Sequence, residues 1–252
     1  HLLPGARTVI EIGGQDSKLI RLSGAGGRAI IVDQAMNDLC AAGTGAFLER
    51  QAHRLGVAVG ELGELAAGAS RGASIAGRCA VFAQTDVAHL RRQGRPIEAL
   101  AAGLCEALVR NYLGCLGRRR SLEPPVSLQG GVAALSGVRA ALRRLLGLTD
   151  GELRVPPHYL ICGAIGAALL AENGASGGGL DIAGALNLLE GLELAGDSAS
   201  LPPLDPQPAP EPLRFAPAGG PCFVGIDIGS VSAKVAAIDA RGRLVYAAWR
   251  RA

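Results

Sequence analysis

Short apolar runs alternate with turn residues at the start of the chain and predict a β-meander. Thr8–Ile12 predicts a buried strand, and Lys18–Leu22 and Ala29–Asp33 predict two more. The glycines of Ser23–Gly27 predict a hairpin between the last two, because glycine accepts a positive φ. The chain therefore opens on at least three strands that lie close together in sequence.

Apolar positions then recur at helical spacing, interrupted by two further strand patterns. Thr85 or Asp86 is a candidate cap for one of these helices, and Pro96 suits the first turn of the next. This alternation is typical of an α/β protein. The pattern predicts strands at Val126–Leu128 and Leu153–Val155, and helices at Ala46–Leu55, Glu61–Ala69, Thr85–Gln93, Pro96–Leu116, Gly137–Leu146 and Gly163–Glu172.

The pattern weakens after residue 173 and resumes after residue 221. Gly174–Gly179 is rich in glycine and serine, Ile182–Leu194 predicts a short helix, and eight of the 14 prolines fall between Pro202 and Pro221. Such a composition predicts an extended linker. We therefore expect a domain at 1–173, a linker at 174–221 and an incomplete β-unit at 222–252, with strands at Phe223–Ile228, Lys234–Asp239 and Leu244–Trp249.

Composition narrows the class of function. The 252 residues are 49% hydrophobic, enough for a substantial core, and 25 basic residues against 22 acidic ones give a net charge of +3. This balance, with 3% aromatic residues, argues against a nucleic-acid partner. No apolar run approaches the roughly 18 residues that span a bilayer, so we expect no membrane association and a cytoplasmic location. The six cysteines are widely spaced without a CxxC pair, which favours reduced thiols or a metal site over disulfides.

One local pattern occurs twice. Glu11-Ile-Gly-Gly-Gln-Asp-Ser-Lys18 and Asp227-Ile-Gly-Ser-Val-Ser-Ala-Lys234 each place an acid at a strand end, then a glycine-bearing turn, then a lysine. Backbone N–H groups of such a turn can approach phosphate oxygens, and the acid can hold magnesium or orient a water. Either turn alone is also compatible with an ordinary hairpin. A third element, Leu128-Gln-Gly-Gly-Val-Ala133, joins a strand to a helix through two glycines and could admit a nucleoside.

Five motifs in this order resemble the activator ATPases of 2-hydroxyacyl-CoA dehydratases and benzoyl-CoA reductases. These activators belong to the superfamily of acetate kinase, sugar kinases, heat-shock chaperones and actin. The resemblance covers about residues 7–172 and resumes at 223–249. It implies an actin-like, ribonuclease-H-like ATPase lobe with a mixed sheet flanked by helices, plus the first strands of a second such lobe. The motifs are Glu11–Lys18, Ala35–Glu49, Cys79–Val87, Gln129–Ala133 and Gly163–Leu169.

The resemblance also implies a site for ATP or ADP with Mg²⁺. Glu11, Asp16 and Gln15 would act near magnesium, the attacking water or the γ-phosphate. The remaining nucleotide-binding positions would be Gly13, Gly14, Ser17 and Lys18 in one phosphate loop, Gly130, Gly131 and Gly163 around the nucleoside, and Asp227, Gly229, Ser230, Ser232 and Lys234 in the other phosphate loop.

Two cysteines are candidate metal ligands. Cys40 and Cys79 each lie shortly before a helical pattern, and a helix N-terminus favours the thiolate that ligates metal. Two thiolates complete a four-cysteine site only if a two-fold axis brings a second pair opposite. The resemblance implies that arrangement: a homodimer with one 4Fe–4S cluster per dimer, which passes an electron to an acyl-CoA dehydratase or reductase component. Leu39 and Ala46 stand where this family usually has basic residues, and the other four cysteines are expected to be ordinary core or surface residues.

The order of the loops departs from the family, because the second phosphate loop precedes the first. We expect a segment of a protein with tandem modules, with a permuted chain as the alternative, and we do not expect this segment to hydrolyse ATP by itself. Two other functions stay open: a cluster-free small-molecule kinase on the same fold, and a nucleotide-binding scaffold or redox-sensing module without turnover.

Overall fold

The computed structural model describes residues 3–25, 28–37, 41–77, 79–118, 120–174, 213–214, 221–229 and 232–251. These residues fall into two compact units, His1–Cys162 and Gly163–Ala252. Cys40, Ser230 and the helix predicted over Ile182–Leu194 lie outside the described residues. The three-segment division at 1–173, 174–221 and 222–252 stays a prediction.

The first unit is built on a mixed five-stranded sheet. Strands β1, β2 and β3 form the predicted antiparallel meander, and β1 and β4, like β4 and β5, pair in parallel. The order across the sheet is β3-β2-β1-β4-β5. Along β1 the buried residues alternate with half-buried ones, so one face is fully covered. The strands are β1 (Thr8–Ile12), β2 (Ser17–Ala25), β3 (Arg28–Asn37), β4 (Val126–Gln129) and β5 (Leu153–Arg154).

Five helices accompany this sheet. Helix α4 is their centre, since 11 of its 19 residues are buried and it contacts α1, α2, α3 and α5. The sheet and the helices share one hydrophobic core, in which Tyr112 and Phe47 are the largest fully buried side chains. The helices are α1 (Gly45–Leu55), α2 (Val59–Gly68), α3 (Ala80–Arg92), α4 (Ile97–Cys115) and α5 (Ser136–Leu146), with 3₁₀ turns at Ala41–Gly43 and Gly131–Ala134. None of the helices in the described part of the chain is long and apolar enough to span a bilayer.

The start of α3 differs from the sequence-based prediction. The helix begins at Ala80 with Cys79 as its N-cap, five residues before the predicted start. Thr85 lies inside the helix and donates a hydrogen bond to the Val81 carbonyl, while the Asp86 carboxylate accepts the backbone N–H of Ala76. Asp86 therefore fastens the preceding segment to the helix side instead of capping the helix end. The prediction of Thr85 or Asp86 as the cap was wrong because both side chains have partners elsewhere.

The described residues of the second unit form a four-stranded antiparallel sheet and one helix. Its strand order is β6-β9-β8-β7, and the helix α6 (Cys162–Glu172) contributes all but its first residue to this unit. Strand β6 lies within the segment predicted as linker, where Leu213 pairs with Ala247 and Arg214 with Tyr246. The strands are β6 (Leu213–Arg214), β7 (Cys222–Ile228), β8 (Ser232–Asp239) and β9 (Leu244–Arg251).

Helix α6 lies on β7 with almost no space between the two backbones. A Cβ atom at Gly225 would overlap the Ala164 carbonyl oxygen and would lie 2.6 Å from the Ala168 amide nitrogen. A Cβ at Gly163 would lie 3.0 Å from Oδ2 of Asp227. The contact between this helix and this strand therefore requires glycine at position 225.

We predict that Gly225→Ala destabilises the second unit by about 1–3 kcal/mol, because the added methyl group forces α6 away from β7. Trp249 is the single tryptophan of the chain and lies on β9, so its fluorescence during urea unfolding reports this unit. Gly166→Ala is the matched control. It adds the same methyl group to α6 where nothing lies within 4 Å, and helix propensity there favours alanine. Equal urea midpoints for the two variants would contradict the packing argument.

Candidate functional site

The first hairpin loop brings two carboxylates to one ammonium group. Glu11 on β1 faces Lys18 on β2 in the antiparallel register. Lys18 Nζ lies 3.4 Å from Oε2 of Glu11 and 3.0 Å from Oδ2 of Asp16. Burial lowers the pKa of Lys18, but the two carboxylates outweigh it, so the pKa lies above its ordinary value and the side chain stays charged. The three side chains carry one net negative charge, which suits a site for a hydrated cation.

The loop between β1 and β2 is attached to the N-terminus of α1. Its own closing hydrogen bond runs from the Gly13 N–H to the Asp16 carbonyl, 3.0 Å. The carbonyls of Gly13 and Gly14 then accept the backbone N–H groups of Gly45 and Ala46, at 2.8 Å each. Two of the N–H groups that a helix start leaves unpaired are thereby satisfied by the loop.

The packing around Gly43 and Gly45 explains why small residues precede α1. A Cβ at Gly45 would lie 3.0 Å from the Gly13 carbonyl oxygen and 3.1 Å from Val132, and one at Gly43 would lie 2.8 Å from Asn111 Oδ1. Thr44 between them is fully buried. The sequence analysis missed these positions as part of the site. Two glycines flanking a threonine ahead of a helix were the available signal of a close backbone approach.

The remaining predicted residues of this loop have different environments. Gln15 is exposed at the loop tip, and Gly13 and Gly14 are half-buried. Ser17 is 1% exposed, and its hydroxyl has no hydrogen-bond partner among the described residues. The loop therefore presents Gln15 and the glycine backbone to solvent, while the Ser17 side chain points into the protein interior.

The second hairpin repeats the geometry of the first. Asp227 on β7 faces Lys234 on β8, with Lys234 Nζ 3.1 Å from Oδ2 of Asp227. The Gly229 N–H donates to the Ser232 carbonyl at 2.9 Å, as Gly13 donates to the Asp16 carbonyl three residues ahead of it in the first loop. The two turns thus share the acid–lysine pair and the closing hydrogen bond. They differ at the position after the turn, where Ser232 replaces a carboxylate.

The two glycines after β4 differ in the space around them. Gly130 has φ +85°, and a Cβ there would overlap the Ile12 carbonyl oxygen, so this residue lets β4 turn directly against the end of β1. The Gly130 N–H donates to the Tyr159 carbonyl at 3.0 Å. Gly131 is exposed, and nothing lies within 4 Å of a Cβ built on it. Open space therefore lies in front of the second glycine, as a nucleoside would require.

Cys79 differs from Cys105 and Cys162 in its surroundings. Cys79 is half-buried at the N-cap of α3, and the side chains that follow it are exposed, Val81 by 66% and Phe82 by 65%. By contrast, burial raises the pKa of Cys105 to about 12 and that of Cys162 to about 11, so both stay protonated thiols at neutral pH. No group of three or more His, Cys, Asp or Glu side chains that could hold a metal converges within the described residues, and Cys40 is not among them.

These features agree with the comparisons to known proteins. A family model described as the BadF/BadG/BcrA/BcrD ATPase family matches residues 1–171. The chain belongs to this family. The predicted resemblance to activator ATPases is thereby confirmed.

Several members of the BadF/BadG/BcrA/BcrD ATPase family show how much of the fold this chain contains. It is 40% identical over 174 residues to the activator of lactoyl-CoA dehydratase of Anaerotignum propionicum, covering 69% of this chain and 64% of the relative. It is 38% identical over 168 residues to the (R)-2-hydroxyglutaryl-CoA dehydratase activating ATPase of Acidaminococcus fermentans, covering 67% and 62%. The chain thus spans about three-fifths of the length of the curated relatives it matches.

The structural comparison confirms the actin-like fold predicted for this member of the BadF/BadG/BcrA/BcrD ATPase family. The activator of the 2-hydroxyisocaproyl-CoA dehydratase from Clostridium difficile, solved with bound ADPNP, aligns with a TM-score of 0.61 at 33% identity. The alignment covers 71% of this chain and 66% of that protein. The mixed sheet with flanking helices and the additional C-terminal strands match the predicted fold class.

We predict that Gly130→Ala unfolds or strongly destabilises the first unit, while Gly131→Ala leaves it folded. The first change combines a left-handed backbone conformation with an overlap at Ile12, which together cost about 2 kcal/mol or more. The second adds the same methyl group to open space. Thermal unfolding followed by far-ultraviolet circular dichroism distinguishes them. An unchanged melting temperature for Gly130→Ala would refute the close approach of β4 to β1.

Proposed function

We propose that the intact protein is an ATP-dependent electron-transfer activator of the cytoplasm. It binds ATP with Mg²⁺, forms a homodimer, and holds one 4Fe–4S cluster between the subunits through Cys40 and Cys79 of each. Its acceptor is an acyl-CoA dehydratase or a reductase of the benzoyl-CoA type. The matched proteins are activators of acyl-CoA dehydratases, which supports the activator role and the class of partner.

One observation carries the proposal: the phosphate-loop candidate and the helix that follows Cys40 are hydrogen-bonded to each other. The Gly13 and Gly14 carbonyls hold the N–H groups of Gly45 and Ala46, and only four residues separate Cys40 from Gly45. A nucleotide that reorients the loop therefore moves the start of α1. This is the physical link between nucleotide state and the cysteine that the function requires.

In this proposal, the nucleotide binds beside the cluster of Glu11, Asp16 and Lys18. Glu11 and Asp16 orient the water shell of Mg²⁺ or the attacking water, and Lys18 holds their charge in place at 3.0–3.4 Å. Gln15 and the backbone of Gly13 and Gly14 face the γ-phosphate. The nucleoside lies on the open side of Gly131, beside Gly130. Asp227, Gly229, Ser230, Ser232 and Lys234 supply a second phosphate loop of the same construction.

In this proposal, the cluster ligand Cys79 lies at the start of α3. Cys79 is the N-cap of α3, and its half-buried position keeps its sulfur accessible to a second subunit. Exposed Val81 and Phe82 beside it offer apolar surface that a homodimer interface would bury. The exposed start of α3 with Cys79 supports the proposal that two subunits share a cluster, which when bound would supply a one-electron donor.

We predict that Glu11→Gln reduces the Mg²⁺-dependent affinity for a fluorescent ATP analogue by about tenfold, because one carboxylate that orients the metal is lost. With EDTA in place of Mg²⁺, affinity is expected to stay the same or rise, since a negative charge near the phosphates has been removed. Glu61→Gln, an exposed acid in the first turn of α2, is the matched control. The same dependence on Mg²⁺ in both variants would remove Glu11 from the metal site.

We predict about four irons and four acid-labile sulfides per dimer after anaerobic reconstitution of the full chain, as four cysteine thiolates hold one such cluster. Cys40→Ala/Cys79→Ala is expected to lose both the iron and the dimer, as measured by iron and sulfide assay with light scattering. The control is Cys222→Ala, which removes an exposed thiol from the second unit. A folded wild-type chain without iron would exclude the electron-transfer function and leave the kinase and scaffold alternatives.

A further inference from the structure

A cavity lies in the first unit, away from the hairpin loops. Its volume is about 810 Å³, and it is lined by the segment 71–75, the end of α3 and one side of α4. This volume is in the range of small-molecule sites. None of the described residues of 11–18, 129–131 or 227–234 lines it, so it is separate from the nucleotide site proposed above.

The lining of this cavity is strongly basic. It includes Arg71, Arg95, Arg110 and Arg144, with Glu106 as the single acid among the described lining residues, which gives a net charge of +3. Arg110 lies 3.1 Å from Glu106, and Arg144 contacts the other oxygen of the same carboxylate. Glu106 is 16% exposed, so one partly buried carboxylate holds two of the guanidinium groups that line the cavity. Arg71 and Arg95 are exposed and form no ion pair within the described residues.

The wall that carries Arg71 is held in place by the neighbouring helices. The Ala73 N–H donates to the Ala99 carbonyl at 2.8 Å, and Arg110 Nη2 donates to the Ile75 carbonyl at 2.9 Å. A Cβ at Gly103 on α4 would overlap the Ala73 carbonyl oxygen, so the segment and the helix touch through their backbones. The cavity is therefore formed before any ligand arrives, which reduces the entropy cost of binding.

We propose that this cavity binds a compact, phosphate-bearing polyanion. Two guanidinium groups without an acidic partner and two that share one carboxylate leave an uncompensated positive charge that phosphate groups neutralise through bidentate hydrogen bonds. The described lining residues include no aromatic side chain on which a base could stack, so recognition depends on the phosphates instead of a nucleobase. This inference does not depend on the proposed function.

The test is calorimetric titration of the full chain with inorganic pyrophosphate in the absence of divalent metal. The wild type is expected to bind with an affinity that falls as sodium chloride rises. Arg71→Gln/Arg95→Gln is expected to bind about tenfold more weakly or not at all, because two charge-assisted contacts are lost. The matched control, Arg50→Gln/Arg92→Gln, removes two exposed arginines that do not line the cavity and is expected to bind like the wild type.

Glu106→Gln is expected to change the affinity for pyrophosphate in the opposite direction. Removing the negative charge of Glu106 raises the net charge of the described lining from +3 to +4 and frees Arg144, while Arg110 keeps its hydrogen bond to the Ile75 carbonyl. Pyrophosphate should therefore bind more tightly, a gain that loss of structure would not produce. The proposal is overturned if the wild type does not bind or if both arginine double variants bind alike.

Discussion

Two hydrogen bonds, from Gly45 and Ala46 to the carbonyls of Gly13 and Gly14, govern the arrangement of the first unit. They fix the end of β1, the loop after it and the start of α1 as one body. The residues around them are correspondingly small or buried, as Gly43, Thr44 and Gly45 show. A larger side chain at either glycine would separate the loop from the helix and, with it, the acidic cluster from the segment that follows Cys40.

The elements that sequence predicted well are those whose pattern is local. The acid, the glycine turn and the lysine of both hairpins lie within eight residues, so their spacing alone places Glu11 opposite Lys18 and Asp227 opposite Lys234. The helix α4 was also evident, because its apolar positions continue from Ile97 to Cys115 without a proline. In these cases the chain specifies the contact without help from distant residues.

The parts that sequence could not predict depend on contacts between distant segments. Thr85 and Asp86 have the side chains of helix caps, yet Asp86 binds Ala76 and the helix begins at Ala80. Strand β6 forms in a proline-rich stretch because β9 offers it a partner. The role of Gly225 is visible only once α6 lies against β7. Local propensity predicts none of these features, because each depends on a contact with a residue far away in the sequence.

Lys18 acts as an internal counter-ion for the first loop. Without it, Glu11 and Asp16 would repel each other across the turn, and the loop would need a bound metal to hold its shape. With the ammonium group between them, the carboxylates are already in place, and an arriving cation has to take over part of the position that Lys18 holds. A cation that bound at this loop would therefore exchange one positive charge for another, and its affinity would be tunable through a single lysine.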